Sequence, residues 1–130
     1  MILVDTSIWI EVFRKSRPFD LEAAYDFDDV VTCPPIVQEV LQGMRDPGAY
    51  RTARMAMLAL PMVESPMPLD LWLEAAQLFR TARTAGFTVR SAVDCLVAAC
   101  ALRHDLEVLH RDRDYTHLAR VASLRQRMPE

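Results

Sequence analysis

The sequence predicts an α/β fold, a three-layer α/β/α sandwich around a short and mainly parallel central sheet. Two observations lead to this prediction: short apolar runs that suit strands buried on both faces, and segments of helical apolar spacing that alternate with those runs. Strands that alternate with helices form parallel sheets covered on both sides. The length of 130 residues is the usual size of one domain, so we expect residues 1–130 to form a single domain.

The first third of the chain alternates between strand and helix from its beginning. Residues 2–4 are a wholly apolar run that ends at Asp5, and Thr6 and Ser7 can cap a helix that Pro18 closes. Further along we predict a short helix at 19–27, a strand at 30–32, and a helix that starts at Pro35, carries Glu39 and stops at Gly43.

The rest of the chain continues the alternation, with Pro61, Pro66, Pro68 and Gly86 at the boundaries. In order, the predicted elements are a helix at 50–60, an edge strand at 62–64, an amphipathic helix at 69–85, an apolar helix at 91–102, a third central strand at 107–109, and a short helix followed by a last strand near 121–124.

The composition is that of a globular protein in a reducing compartment. Hydrophobic residues make up 52% of the chain and charged residues 25%. No apolar stretch approaches the roughly 20 residues that cross a bilayer, and no signal peptide is visible, so we expect a cytoplasmic protein without a membrane span. The three cysteines, Cys33, Cys95 and Cys100, lack the spacing of a zinc site and are interpreted as buried reduced thiols.

The formal net charge of −3 argues weakly against a nucleic-acid partner, because such proteins usually carry a basic footprint. This objection loses force if several of the acids are gathered around metal ions, since the charge of that region is then not the formal one. We therefore keep nucleic acid among the candidate partners.

Two of the candidate acids have an ordinary structural explanation when each is taken alone. Asp5 directly follows a buried strand, where a carboxylate is either a helix cap or a site residue exposed at the edge of the sheet. Glu39 lies beside an apolar helical stripe, so it is either a solvent-facing residue or part of a site.

Asp94 is more unusual, because it lies in an otherwise apolar helix and a buried carboxylate without a partner is costly. It can reach back to the amide of Ser91 in a capping box, or it can face a cation. Asp112 follows the third predicted strand, and Asp114 comes two residues later; turn residues would look similar.

Considered together, the four acids Asp5, Glu39, Asp94 and Asp112 indicate a metal site. Three of them lie at the same predicted end of one sheet, and the fourth lies on a helix that can cover it. Oxygen ligands arranged in this way suit hard divalent cations such as Mg²⁺ or Mn²⁺. The chemistry typical of such a site is metal-assisted attack of water on a phosphodiester.

Four segments of the sequence carry a resemblance to a known family. They are residues 3–7 (LVDTS), 34–43 (PPIVQEVLQG), 94–99 (DCLVAA) and 110–115 (HRDRDY). In this order and at these intervals they resemble the PIN-domain ribonucleases, and among these the VapC toxins of bacterial toxin–antitoxin modules. The resemblance spans nearly the whole chain; no single segment is specific, but the ordered set is.

The resemblance implies a Rossmann-like α/β/α sandwich and a Mg²⁺- or Mn²⁺-dependent endoribonuclease that acts on structured RNA. It implies a VapB-type antitoxin partner whose C-terminal segment blocks the active site, and it implies a homodimer. Matched position by position, Asp5, Glu39 and Asp94 correspond to the first three metal-site acids of the family. Asp112 best matches the fourth, with Asp114 as its rival for that place.

Other residues near these segments are assigned roles as expectations. Thr6 and Ser7 match polar positions beside the first acid, where a hydroxyl either supports Asp5 or caps the helix. Arg111 and Arg113 are candidate contacts for RNA phosphate, although exposed loop arginines are usually only solvated. We expect a structural role for His110. We expect packing in the core or at a dimer interface for both tryptophans, Trp9 and Trp72.

Two competing functions remain. The first is a PIN-like binding or regulatory subunit that has lost catalysis; the retention of all four acids argues against it. The second is a receiver-like or phosphatase domain on a similar sheet. It is disfavoured because the first strand ends in a single acid, and because Lys15, the only lysine, follows the first strand rather than a late one.

Overall fold

The central sheet has four strands, and all of them are parallel. A computed structural model describes residues 1–130 and places these strands at Ile2–Val4 (β1), Val30–Val31 (β2), Glu107–Leu109 (β3) and Gln126–Arg127 (β4). Their order in the sheet is β2-β1-β3-β4. The register sets Val4 beside Leu109, so β1 and β3 end at the same edge of the sheet. The backbone amide of Asp5 continues the pairing, because it donates to the Leu109 carbonyl at 2.9 Å.

Seven helices surround the sheet. They are Thr6–Phe13 (α1), Leu21–Ala24 (α2), Pro34–Gln42 (α3), Pro47–Leu58 (α4), Leu69–Thr84 (α5), Ala92–Arg103 (α6) and Arg113–Leu118 (α7). The predicted α/β fold with a parallel central sheet is therefore confirmed. None of the helices combines the length and hydrophobicity needed to span a membrane.

Helix α6 is the centre of the packing. Every residue from Asp94 to Ala101 is buried, and α6 contacts α3, α5, α7 and β3. A helix that is apolar on all sides must be covered on all sides, which is why α6 is buried along most of its length, whereas α5 buries only one side, with Leu71, Ala75 and Ala82. This placement carries Asp94, in the first turn of α6, into the interior of the protein.

Two predicted strands differ from the structure. At 62–64 there is only an isolated parallel bridge between Thr32 and Met62, which extends the edge of the sheet by one residue pair. The last strand is Gln126–Arg127 rather than residues near 121–124. Hydrophobicity did not indicate it, because this edge strand is held by polar side chains: Arg127 pairs with Glu107 at 2.6 Å.

Two predicted helices differ from the structure: one is divided, and the other begins earlier. The single helix predicted at 19–27 is instead the short α2 followed by a 3₁₀ turn at Phe27–Asp29. The helix predicted at 50–60 begins earlier, at Pro47, because the carboxylate of Asp46 accepts the Ala49 amide at 2.8 Å and caps it.

The core confirms the packing expected for Trp9 and for the three cysteines. Trp9 is buried, with its ring stacked on Phe13 and edge-on to Phe27. Trp72 of α5 is 52% exposed and is not in the core of this chain, so of its two expected roles only packing at an interface remains a prediction. The three cysteines are buried free thiols, as the sequence predicted.

Candidate active site

The five acids singled out in the sequence all lie near the carboxyl ends of β1 and β3. Asp5 follows β1 and is the N-cap of α1, and Asp112 is the N-cap of α7, in the loop that follows β3. Asp94 comes from the first turn of α6, and Glu39 comes from α3. The parallel register of β1 and β3 brings Asp5 and the loop that carries Asp112 to the same edge of the sheet.

Asp5 is both a helix cap and a member of the acidic cluster, so both of the explanations considered for it apply. Its Oδ2 accepts the backbone amide of Ser7 at 3.0 Å and the hydroxyl of Ser7 at 2.6 Å. Its Oδ1 faces the interior and accepts the phenolic hydroxyl of Tyr115 at 2.6 Å. These contacts hold the carboxylate of Asp5 in one orientation.

Tyr115 connects Asp5 to Asp94, and sequence reasoning missed it as a site residue. Its hydroxyl is 2.6 Å from Asp5 Oδ1 and 3.3 Å from Asp94 Oδ1, and its side chain is fully buried. Burial, followed by the charges of the two aspartates, raises the pKa of Tyr115 well above its usual value, so the phenol remains a donor. The available signal was a large aromatic with a polar end one residue after Asp114, where burial requires a partner for the hydroxyl.

Asp94 forms a cluster with Asp112 and Asp114. One carboxylate oxygen from each of the three lies within 4.8 Å of the others. Asp94 is only 4% exposed, and its Oδ2 is buried without any hydrogen-bond partner. Burial raises the pKa of Asp94 to about 10, and the neighbouring carboxylates of Asp114, Asp5 and Asp112 raise it further. Without a cation, Asp94 is therefore protonated at neutral pH.

Asp112 and Asp114 make different contacts. Both oxygens of Asp114 accept the backbone amide of Arg90, at 3.1 and 3.0 Å, and Oδ2 also accepts the amide of Ser91 at 3.0 Å. Asp112 is half-buried, and only its Oδ1 accepts an amide, that of Asp114 at 2.9 Å. The capping box considered for Ser91 and Asp94 does not form, because the Ser91 amide donates to Asp114 instead.

Glu39 is connected to the group through Thr6, the residue that follows Asp5. Its Oε1 accepts the hydroxyl of Thr6 at 2.9 Å. Partial burial raises the pKa of Glu39, the hydroxyl of Thr6 opposes that shift, and the charges of Asp5 and Asp112 add to it. Thr6 and Ser7 thus each donate a hydrogen bond to one acid of the site, Glu39 and Asp5 respectively.

The basic residues and the histidine around Asp112 have distinct environments. Both arginines are exposed. The guanidinium of Arg111 pairs with Glu11 at 2.6 Å and lies over the ring of Phe19, whereas Arg113 forms no ion pair. His110 is buried, with Nε2 2.7 Å from the side-chain oxygen of Gln126 and Nδ1 accepting the amide of Asp112 at 3.0 Å. Both of its ring nitrogens are therefore used in holding the loop after β3, which fits the structural role expected for it.

The donor set fits a divalent metal ion. The buried Asp94 Oδ2 lacks a partner, and a carboxylate oxygen in that position is costly unless a cation or a proton satisfies it. The neighbouring ligand atoms of Asp112 and Asp114 are also carboxylate oxygens. Oxygen-only donors favour hard cations over the softer metals that prefer sulfur or imidazole.

Solved structures of low sequence identity share this fold. The FitAcB complex of Neisseria gonorrhoeae matches with a TM-score of 0.72 at 20% identity, covering 97% of this chain and 96% of that one. The VapBC2 complex of Rickettsia felis, solved with a promoter DNA fragment, matches with a TM-score of 0.74 at 14% identity over the full length of both chains.

Sequence comparison gives the family. The family model described as PIN domain matches residues 2–122. A VapC ribonuclease of Mycobacterium bovis and ribonuclease VapC11 of Mycobacterium tuberculosis are each 38% identical to this chain over 133 aligned positions, covering 95% of this chain and 96% of the relative. A match of this extent, in a chain whose acids meet at the carboxyl edge of a parallel sheet, places the protein in the PIN-domain family, among the VapC ribonucleases.

Proposed function

We propose that this protein is the toxin of a type II toxin–antitoxin module and a metal-dependent endoribonuclease that hydrolyses RNA phosphodiester bonds. The observation that carries the proposal is the unpartnered Asp94 Oδ2 inside a cluster of carboxylates. The relatives at 38% identity are named ribonucleases, which supports the same activity here. We treat residues 1–130 as one catalytic domain that acts in the cytoplasm.

Asp5, Glu39, Asp94 and Asp112 are the residues that we propose hold Mg²⁺ or Mn²⁺. Bound there, the ion would supply an activated water and neutralise charge that develops on the phosphodiester. We choose Asp112 over Asp114 as the fourth ligand because both oxygens of Asp114 already accept backbone amides, whereas Asp112 has a free oxygen. Asp114 then ties the loop before α6 to α7.

We propose that the remaining residues of the site either orient the acids or contact the substrate. Thr6 orients Glu39, and Ser7 and Tyr115 orient Asp5. We assign RNA contact to the exposed Arg113 rather than to Arg111, because the guanidinium of Arg111 is engaged by Glu11.

Two protein partners belong to the proposal: a VapB-type antitoxin and a second copy of this chain. Solved complexes with this fold include a toxin–antitoxin complex from Klebsiella pneumoniae, which has a TM-score of 0.67 at 22% identity. Leu69, Trp72 and Leu73 leave apolar surface exposed on α5, beside a groove of about 470 Å³ between α5 and α6. Such a surface is available to either partner.

The test of the proposed activity is cleavage of bulk bacterial RNA by the purified chain. We expect fragments with Mg²⁺ or Mn²⁺ present and none after chelation with EDTA. Intact RNA under all metal conditions, with antitoxin absent and the protein folded, would favour the alternative of a catalytically inactive PIN-like regulatory subunit.

Tyr115→Phe tests the link between Asp5 and Asp94. The change removes the 2.6 Å hydrogen bond to Asp5 and keeps the ring, so we expect affinity for Mn²⁺ to fall by about ten- to a hundred-fold. Titration calorimetry measures the affinity. Tyr50→Phe is the matched control, since Tyr50 is an exposed residue of α4. Wild-type affinity in Tyr115→Phe would remove Tyr115 from the site.

A further inference from the structure

Charge is distributed unevenly along this chain. Residues 1–74 contain twelve acids and six cations, whereas residues 75–130 contain six acids and nine cations. Three of those six acids are Asp94, Asp112 and Asp114, which lie together in the candidate active site. The rest of the second segment is therefore distinctly basic, although the whole protein has a formal net charge of −3.

Two stretches without any acid come together in the fold. They are residues 75–93, which span most of α5 and the loop before α6, and residues 115–129, which begin in α7. The ring of Phe87 in the first stretch stacks on His117 in the second, with centroids 5.1 Å apart and planes at 24°. The guanidinium of Arg120 lies over the same ring, 5.9 Å from its centroid.

These stretches and the start of α7 carry a set of exposed arginines, which we call the basic face. Its members are Arg83, Arg90, Arg113 and Arg120, and Arg80, three residues before Arg83 on α5, is the one further exposed and unpaired arginine of residues 75–130. None of them forms an ion pair. By contrast, four other arginines of residues 75–130 pair with carboxylates; they are Arg103, Arg111, Arg125 and Arg127. The charge of the basic face is thus directed to solvent rather than neutralised within the protein.

The basic face adjoins the acids of the site. The backbone amide of Arg90 donates to Asp114, and Arg113 stands between Asp112 and Asp114 in the chain. A cluster of carboxylates repels a polyanion, so a ribonuclease of this kind needs a flanking positive surface to hold its substrate. Unpaired arginines that release counterions from phosphate supply that attraction.

We propose that the basic face binds the phosphate backbone of the RNA substrate, with Arg90 and Arg120 as principal contacts beyond Arg113. The stack of Phe87 on His117 positions the guanidinium of Arg120 at this surface. This inference rests on the proposed ribonuclease function and adds to it the path of the substrate. Contacts of this kind read the backbone, so they give affinity without base preference.

The test measures binding separately from cleavage. The full-length chain is titrated into fluorescein-labelled oligouridine in EDTA, and fluorescence anisotropy gives the dissociation constant at several salt concentrations. In a plot of the logarithm of the dissociation constant against the logarithm of the salt concentration, we expect the slope for R90Q/R120Q to be smaller than that of the wild type by about 1.4. This corresponds to roughly 0.7 for each lost contact with a single strand. The same relation predicts roughly twenty-fold weaker binding at about 0.1 M salt.

Two further variants test whether a loss of binding comes from the lost arginine contacts rather than from the change in net charge or from unfolding. R51Q/R54Q removes the same charge from two exposed, unpaired arginines of α4, and it should bind oligouridine as the wild type does. R90K/R120K keeps the charge and should keep most of the salt slope. Thermal unfolding checks that all variants are folded.

The outcomes distinguish this inference from the proposed function. A wild-type salt slope in R90Q/R120Q, or an equal loss in R51Q/R54Q, overturns the inference even if the wild type cleaves RNA. Loss of binding to a polyglutamate peptide with unchanged binding to oligouridine would assign the basic face to an acidic protein partner and also overturn it. Failure of the wild type to cleave RNA would count against the proposed function, while the binding result stands by itself.

Discussion

Asp94→Asn is expected to reduce metal-dependent RNA cleavage on the order of a thousand-fold. Asp94 has the only buried carboxylate oxygen in the protein that lacks a hydrogen-bond partner, and it lies within reach of Asp112 and Asp114. An amide in this position has nearly the same shape but no negative charge, so the proposed cation loses a buried anionic ligand. Single-turnover cleavage of labelled RNA measures the effect.

The same substitution should leave the metal-free fold intact. Because the pKa of Asp94 is raised to about 10, the metal-free wild type holds this side chain neutral at pH 7, as Asn would be. We therefore expect a thermal midpoint in EDTA at or above that of the wild type, and a much smaller increase than in the wild type when Mn²⁺ is added. An unstable variant would instead mean that the carboxylate has a structural role.

Asp28→Asn is the matched control for this experiment. It makes the same chemical change at an exposed acid in the 3₁₀ turn Phe27–Asp29, away from the carboxyl edge of the sheet. We expect wild-type cleavage and a wild-type response to Mn²⁺ from this control. Full activity of Asp94→Asn would contradict the assignment of Asp94 as a metal ligand.

The second large effect is a dependence of metal affinity on pH. In the metal-free protein Asp94 carries a proton up to a pKa of about 10, and a metal ion must displace that proton in order to bind. Affinity for Mn²⁺ is therefore expected to rise about tenfold for each pH unit between about pH 6 and 8, with release of about one proton. The raised pKa of Glu39 acts in the same direction.

Whereas the metal affinity should rise with pH, the stability of the metal-free protein should fall as the pH rises. An unfolded Asp titrates near pH 3.9, whereas Asp94 in the folded chain titrates near pH 10, so between these values the folded state holds the additional proton. The contribution of Asp94 to the free energy of unfolding is complete below about pH 4 and is lost as the pH rises towards 10. Added Mn²⁺ should stabilise the protein increasingly over the same range.

Calorimetry in buffers with different ionisation enthalpies counts the protons released when Mn²⁺ binds. Asp94→Asn serves as the control, since it has no proton to lose at this position and its residual binding should vary much less with pH. A flat affinity between about pH 6 and 8 in the wild type, with no proton release, would show that Asp94 is already ionised in the metal-free protein.

Parts of the site could be read from local sequence because the local pattern determines them. The apolar residues 2–4 followed by an acid predicted the strand, the turn and the cap of α1. The conflict between Asp94 and its apolar neighbours predicted a carboxylate that needs a partner, and Asp94 Oδ2 is indeed buried and unpartnered. Glu39 was singled out mainly by the resemblance to the family, since a helical glutamate carries little information by itself.

Other features depend on residues far apart in the chain, which local patterns do not reveal. Tyr115 joins the site because its hydroxyl meets Asp5, 110 positions away. Ser91 donates to Asp114 rather than to Asp94, three residues away, because α7 packs against the start of α6. The strand β4 is held to β3 by backbone hydrogen bonds and by the ion pair between Arg127 and Glu107, at an edge of the sheet where hydrophobic alternation is not needed.

Apolar periodicity and strand ends are local properties, so they sufficed to predict the parallel sheet, most of its strands and helices, and the acids at its carboxyl edge. The tertiary structure was needed to distinguish these acids from one another: Asp114 accepts the amides of Arg90 and Ser91, while Asp94 Oδ2 remains unpartnered. It also decided that Arg111 is paired with Glu11. The physical reason is that pKa values and hydrogen-bond partners follow from burial and from contacts between distant segments.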